Sequence, residues 1–299
     1  MKKILLKIYL YFMSVQNRRA IKRGSLYYIN YRYKQLFGRN INLQCPKTFC
    51  EKIQWLKLYD HNPKIVEYAD KYKVREHVEK QIGDKYLIPM IAVWDTADEI
   101  DFASLPKSFV IKPNNSSGRV LICKDKEMLD CNTAYQEIKK WETENLTKLT
   151  GEWFYEKIPF KIVCEEFLED DISDYKLYFA NGKFICTQLI AGRHSHNKTY
   201  TYYDANWNCM DIVRYGTPKA TEIQEKPKYY EEMLQVAAKL AGDFNFMRVD
   251  LYYVNDKIYF GELSFYPNNG FVRYQTEEMD EFFASKINLP VNTESNDEN

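Results

Sequence analysis

The sequence predicts an α+β fold built mainly on antiparallel sheet. Three observations carry that prediction. Apolar, β-rich segments meet at Asn181-Gly182 and at Asn255-Asp256, turn pairs that favour tight hairpins. Amphipathic helical segments, such as residues 125–146 and 228–244, alternate with those hairpins. No strand–helix–strand pattern opens the chain, so a parallel sheet has no starting unit.

The elements follow in order. Residues 3–15 place Ile4, Leu5, Ile8, Phe12 and Val15 on one helical face among lysines. Two readings stand open for it: a helix lying on an anionic membrane surface, or one packed on the body. Residues 38–46 read as a loop. Thr48 and Glu51 form a capping box that starts a helix running to about Tyr59. Pro63 suits the first residue of a short helix. Residues 70–81 predict another helix, ended by Gly83. Residues 87–94 predict a buried strand that Pro89 confines to an edge or a strand start. Residues 95–105 predict a short helix. Strands at 108–112 and 120–123 flank the polar loop 113–119, and a long helix covers 125–146. Strands follow at 161–167, 175–180, 184–191 and 200–203, then a helix at 228–244. A hairpin at 249–254 and 257–265 and a helix at 276–287 close the fold, and the polar residues 292–299 predict disorder.

The chain has 299 residues with 42 bases and 42 acids. That balance argues against a nucleic-acid coat protein. It also hides a gradient. Residues 1–50 hold eleven Lys and Arg and no acid, leaving 31 bases against 42 acids in the rest. Seven scattered cysteines, with no paired spacing, fit neither a disulfide framework nor a zinc site and suit a reducing cytoplasm. Lys7 interrupts the first apolar run, so a secretory signal is not expected.

The sharpest chemical feature is the last hairpin. Arg248 and Asp250 lie on one strand, Glu262 and Ser264 on the next. Acids inside apolar strands are costly unless paired or bound to a cation. Two carboxylates with a nearby guanidinium suit Mg²⁺ on a polyphosphate. Register decides whether they meet. A two-residue turn pairs 250 with 261 and splits the acids between faces. A three-residue loop with a bulge at Lys257 pairs 250 with 262 and 248 with 264, and this is the expected geometry. A second feature is Lys112 at a strand end, followed by a loop with Ser117 and Gly118 that suits phosphate. A third is the acid pair Glu165-Glu166 at the end of another strand, where an adenine amine would meet it.

The order of these features resembles the ATP-grasp superfamily. Residues 49–60, 70–75, Asp174 with Lys176, Tyr203-Asp204 with Trp207-Asn208, 246–253 and 261–267 are similar to the TupA-like ATP-grasp proteins of bacterial surface-polysaccharide clusters. The resemblance runs from about Asn42 to Pro290. It implies two α+β lobes, about 70–165 and 166–290, clamping ATP within a domain at 48–290. A basic helical arm at 1–47 precedes this domain and a disordered tail at 291–299 follows it.

The resemblance also implies roles. Lys71 and Lys112 contact the nucleotide, and Ser117 and Gly118 close over its phosphates. Glu165, Glu166 and Leu168 lie beside adenine and ribose, and Asp174 and Lys176 lie near nucleotide and acceptor. Arg248, Lys112 and Arg193 act in catalysis, while Asp250, Glu262 and Ser264 hold Mg²⁺. The loop departs from the family pattern at Pro113, Asn115, Ser116 and Arg119, and Ser264 replaces an asparagine. The implied activity is an ATP-dependent carboxylate–amine ligase acting through an acylphosphate. Its acceptor would be a small molecule or a glycan such as a uronic-acid precursor, and its amine an amino acid. It would work in the cytoplasm, with residues 1–40 against the inner face of the membrane. A glycosyltransferase and an ATP-grasp phosphotransferase are the alternatives. No nucleophilic side chain is required, so His61, His77, His194 and His196 are expected at the surface or beside substrate.

Overall fold

The computed structural model describes residues 15–17, 19–144, 147–169, 172–191, 199–218, 220 and 222–290. The helix expected at 3–15, on a membrane surface or packed on the body, lies almost wholly outside these residues, as does the polar tail.

Helix α1 (Ser25–Phe37) ends at Gly38 in the left-handed region, with φ 73°. It is packed on the body, with Tyr28, Ile29 and Tyr33 buried. Helix α2 (Phe49–Tyr59) starts with the expected capping box. The Glu51 carboxylate does more than cap. It also accepts from Tyr33 Oη at 3.0 Å, Arg39 Nη1 at 2.8 Å and the backbone N–H of Lys47 at 3.0 Å. Burial pushes this carboxyl up, but the N–H groups of Lys47 and Thr48 with Arg39 outweigh it and hold it at about 2. The second half of the basic arm is thus tied to the domain.

Helices α3 (Lys64–Ala69) and α4 (Val74–Ile82) come next. The helix expected from residue 70 starts later, because the Asp70 carboxylate captures the N–H groups of Tyr72 and Lys73. Strand β1 (Met90–Trp94) follows Pro89 and lies at a sheet edge, which reconciles that proline with a strand. The helix expected at 95–105 is absent. One 3-10 turn at Ala97–Glu99 is followed by a turn in which Asp101 takes the N–H of Ala103. Strands β2 (Phe109–Pro113) and β3 (Leu121–Cys123) precede helix α5 (Cys131–Thr143). The long helix expected from residue 125 is broken at Asp130, whose side chain caps α5 instead. Helix α6 (Thr147–Thr150) and a 3-10 turn at Trp153–Lys157 lead to β4 (Ile162–Glu166). Strands β1, β4, β2 and β3 form one sheet in that order. Phe109, Ile111 and Cys164 pack with Ala134, Ile138 and Trp141 of α5, so that helix covers one face.

The second sheet begins with β5 (Ser173–Ala180), β6 (Lys183–Ala191), β7 (Thr199–Tyr203) and β8 (Cys209–Met210). After helix α7 (Tyr230–Ala241) come β9 (Met247–Val254) and β10 (Lys257–Ser264), then helix α8 (Glu277–Lys286). Its order is β10-β9-β5-β6-β7-β8. All the paired strands of both sheets run antiparallel. Helix α7 packs on β5 and β9, with the Tyr230 hydroxyl 2.8 Å from that of Thr187. Phe283 of α8 stacks on Tyr274 and packs against Phe49, Tyr178 and Tyr202. The face of this sheet opposite α7 carries the polar residues described next.

Candidate functional site

The β9–β10 hairpin sets the geometry. Asn255 and Asp256 form a two-residue turn with φ 51° and 60°, which pairs Tyr252 with Tyr259 and Leu251 with Phe260. A bulge at Gly261 then restores the pairing of Asp250 with Glu262 and of Arg248 with Ser264. The expected register is present, but the device differs: the bulge sits at Gly261, not at Lys257. A Cβ on Gly261 would lie 3.1 Å from the Asp250 carbonyl oxygen and from the Tyr252 ring, so any side chain here requires those neighbours to give by a few tenths of an ångström.

Register carries a polar row across the sheet. Glu262 faces Asp250, Asp250 faces Lys176, Lys176 faces Gln188, and Gln188 faces Tyr202. The reacting groups meet at one end of it. Arg248 donates to both Asp250 oxygens at 2.6 and 2.7 Å, to Glu262 at 3.2 Å and to the Ser264 hydroxyl at 3.0 Å. Lys176 bridges Asp174, at 2.9 Å, and Asp250. Asp250 is 1% exposed, and Lys176 and Arg248 are 7% and 8% exposed. Burial raises the Glu262 carboxyl, but Lys71, Arg248 and Lys176 overcome that and hold it at about 2.

Lys71 enters from the turn before α4. Its ammonium donates to the Ser116 carbonyl, and burial lowers its pKa against the pull of Glu262. Lys112 of β2 pairs with Glu165 of β4 at 2.5 Å, and Arg75 holds the other Glu165 oxygen at 3.2 Å. The loop after β2 is pinned at its base by buried Asn114, which donates to Asp70 and to the Pro159 carbonyl at 2.9 Å each. Arg119 grips Glu144 through two 2.8 Å bonds at its far end. Between these anchors Ser117 and Gly118 reach a cavity of about 480 Å³.

That cavity, lined by the second sheet and by the loop after β2, also receives Lys71, Lys176, Arg248, Asp250, Glu262 and Ser264. Asp174 is fully buried beneath Lys176. Glu165 is buried under its two cations, Glu166 is exposed and Leu168 is half-buried; neither these three nor Lys112 lines the cavity. Arg193, His194 and His196 fall outside the described residues. His77 stacks on Tyr68 and His61 packs on Trp153.

Four contributors carry no local sequence signal. Arg75 shares Glu165 with Lys112. Glu152 lines the cavity with its carboxyl raised to about 7 by burial, which Lys57 partly opposes. Buried Lys57 is lowered to about 8 by the same desolvation and donates to the Asn269 side chain at 2.8 Å. Arg214 lines the cavity beside Gln188 and Tyr200.

The donors at the hairpin end are two carboxylates and a hydroxyl. Magnesium takes one or two carboxylates and completes its shell with phosphate oxygens and water, so this set fits it. Among the described residues no group of three or more His, Cys, Asp or Glu side chains converges to hold a metal by itself. No helix among them is long and apolar enough to cross a membrane.

The family model described as TupA-like ATPgrasp matches residues 51–288. No curated protein matches the chain. Among solved structures, D-alanine–D-alanine ligase from Helicobacter pylori aligns at 13% identity and TM-score 0.46, covering 81% of this chain and 70% of that one. The same ligase from Bacillus anthracis, complexed with ATP, aligns at 15% identity and TM-score 0.38, covering 66% and 53%. An L-amino acid ligase from Bacillus licheniformis aligns at 13% identity and TM-score 0.45, covering 72% and 48%. The chain thus spans about half the length of the latter two.

Proposed function

Because the chain belongs to the TupA-like ATP-grasp family, we propose that it is an ATP-dependent carboxylate–amine ligase. The observation that carries this reading is the single sheet face on which Arg248, Lys176, Asp250 and Glu262 meet.

Lys71, Lys112, Lys176 and Arg248 bind the phosphates, while Ser117 and Gly118 cover them from the other sheet. Asp250, Glu262 and Ser264 would hold Mg²⁺, which when bound would offset the charge of the phosphates. An oxygen of the acceptor carboxylate attacks the γ-phosphorus as the bond to the bridging oxygen breaks, giving an acylphosphate and ADP. An amine nitrogen then attacks the acyl carbon, and phosphate and a proton leave. Such transfer asks for positioning and charge neutralisation rather than a nucleophilic side chain. Arg248 sits where it can do both, held flat by its two bonds to Asp250.

The acceptor in this reading is a uronic acid of a surface polysaccharide or its precursor, and the amine an amino acid. Support for the glycan comes from the family resemblance. The acid-free residues 1–50 support a contact between the chain's start and an anionic membrane surface. The test incubates the protein with Mg-ATP, uronic acids and amino acids and follows ADP, phosphate and product mass. ADP, phosphate and an amide support the ligase. A stable phosphorylated acid would make it a phosphotransferase, and sugar transfer from a nucleotide sugar without ATP would overturn the reading.

A further inference from the structure

The polar row does not stop at the reacting end. From Asp250 on β9 it passes Lys176 on β5 and Gln188 on β6 to Tyr202 on β7, three interstrand spacings or about 14 Å away. Arg214 stands at that far end of the cavity. Its guanidinium lies 5.2 Å from the centre of the Tyr200 ring.

The two ends differ in charge. Lys176 and Arg248 are matched by Asp174, Asp250 and Glu262. Among the described residues, no carboxylate pairs with Arg214. A cation over a tyrosine face is stabilised by about 0.5–1 kcal/mol, far less than an oxyanion partner gives a guanidinium. Its backbone is fixed. Arg214 bridges to Tyr274, the N–H of Tyr215 donates to the Arg273 carbonyl at 2.9 Å, and Gln275 returns a bond to Val213 at 2.9 Å. The Thr217 hydroxyl closes on the Arg214 carbonyl at 2.8 Å. Between the ends, the cavity floor is the uncharged pair Gln188 and Ile190.

We infer that Arg214 anchors a second oxyanion, a carboxylate or a phosphate monoester, on the same acceptor whose carboxylate reacts beside Arg248. The inference rests on the ligase reading and narrows its substrate to acids with a second oxyanion far enough away to span the uncharged floor. A planar guanidinium grips either group through two parallel bonds, and a monoanionic acid leaves it unsatisfied.

The test measures, by calorimetry, binding of glucuronic acid, glucaric acid and glucuronic acid 1-phosphate to the full chain, with and without Mg²⁺ and a non-hydrolysable ATP analogue. Glucaric acid and glucuronic acid 1-phosphate, which each carry a second oxyanion, are expected to bind at least tenfold tighter than glucuronic acid. In Arg214→Met that preference is lost while the affinity for the nucleotide analogue stays within twofold of the original. Arg214→Lys, which keeps the charge without the fork, retains part of the preference and serves as a second folded variant. Stronger binding of one of the two identifies the second group as carboxylate or phosphate. Equal binding of all three acids, no binding of either two-headed acid, or an undiminished preference in Arg214→Met would overturn the inference. Failure of the original chain to bind the nucleotide analogue would instead remove the ligase reading, and the comparison without nucleotide would still decide the role of Arg214.

Discussion

Asp250 offers the sharpest test of the site's electrostatics. The sequence alone suggests that Asp250→Ala abolishes turnover and leaves the fold intact, as expected for a metal-binding acid. The structure revises the second half of that expectation. Asp250 neutralises Arg248 through bonds of 2.6 and 2.7 Å and also pairs with Lys176, and all three side chains are buried. Removing one partner of a buried charge pair typically costs about 3–5 kcal/mol. Asp174 still holds Lys176, and Glu262 still touches Arg248 at 3.2 Å, so about 3 kcal/mol is expected here. Equilibrium urea unfolding without nucleotide reads this directly. With a slope of about 3 kcal/mol per molar, the midpoint falls by about 1 M. Adding Arg248→Met removes the cation that loses most, while Glu262 keeps the pull of Lys71, so about 1–2 kcal/mol should return, a coupling that a double-mutant cycle isolates. A midpoint equal to that of the original chain, or strictly additive variants, would refute the reasoning.

Three further predictions follow from single contacts. Gly261→Ala places a methyl 3.1 Å from the Asp250 carbonyl and the Tyr252 ring, so thermal unfolding should report a loss of about 1–3 kcal/mol. Turnover should fall further than stability, because the bulge sets the register of Glu262. Asp280 of α8 accepts the N–H of Phe49 at 2.9 Å, and burial raises its carboxyl from 3.8 to about 6. The fold therefore favours the neutral acid, and this contribution is complete below pH 3.8 and lost as pH rises through 6. Asp280→Asn keeps the acceptor without the charge, so it should gain up to about 3 kcal/mol above pH 7 and nothing near pH 3, as melting across pH would reveal. Arg75→Gln leaves Lys112 as the sole cation on Glu165, so titration should read Mg-ATP affinity about tenfold weaker although Arg75 lies outside the cavity. Unchanged affinity would mean that Lys112 does not leave Glu165 for phosphate.

What could be read from the sequence was local. The Thr48–Glu51 box, the two hairpins and the Arg248, Asp250, Glu262, Ser264 quartet are defined by residues a few positions apart or facing across one turn. The bulge was legible in its effect and not in its place, because what crowds position 261 is the Asp250 carbonyl and the Tyr252 ring on the facing strand. The helices expected at 70 and 95 were overextended for one reason: Asp70 and Asp101 spend their carboxylates on nearby N–H groups, and periodicity does not register this competition. Glu152, Lys57 and Arg214 were silent for another. Each reaches its partners through tertiary packing, Lys57 finding Asn269 from 212 residues away.

The charge distribution acquires a different meaning at this scale. The sequence sets Asp250 and Glu262 apart as acids awaiting magnesium, yet the structure already pairs them with Arg248 and Lys176. Lys176, Arg248 and Lys71 against Asp174, Asp250 and Glu262 make a set with no net charge, which explains how six ionised groups share a buried region without a ligand. A metal–triphosphate arriving there cannot simply add its charges; it must exchange partners, carboxylates turning to the metal and cations to the phosphates. Such an exchange keeps each buried charge compensated throughout, so neither half of the set is stranded. The magnesium nucleotide complex still brings a surplus of negative charge. Glu165 shows where the matching surplus of positive charge lies, since Arg75 and Lys112 share its one carboxylate. Of those two, Arg75 is tied further by its bond to the Ile88 carbonyl at 2.9 Å, whereas Lys112 has, among the described residues, only Glu165 to leave. Arg75 therefore earns its place by staying: it keeps Glu165 satisfied and makes Lys112 the cation that the site can release.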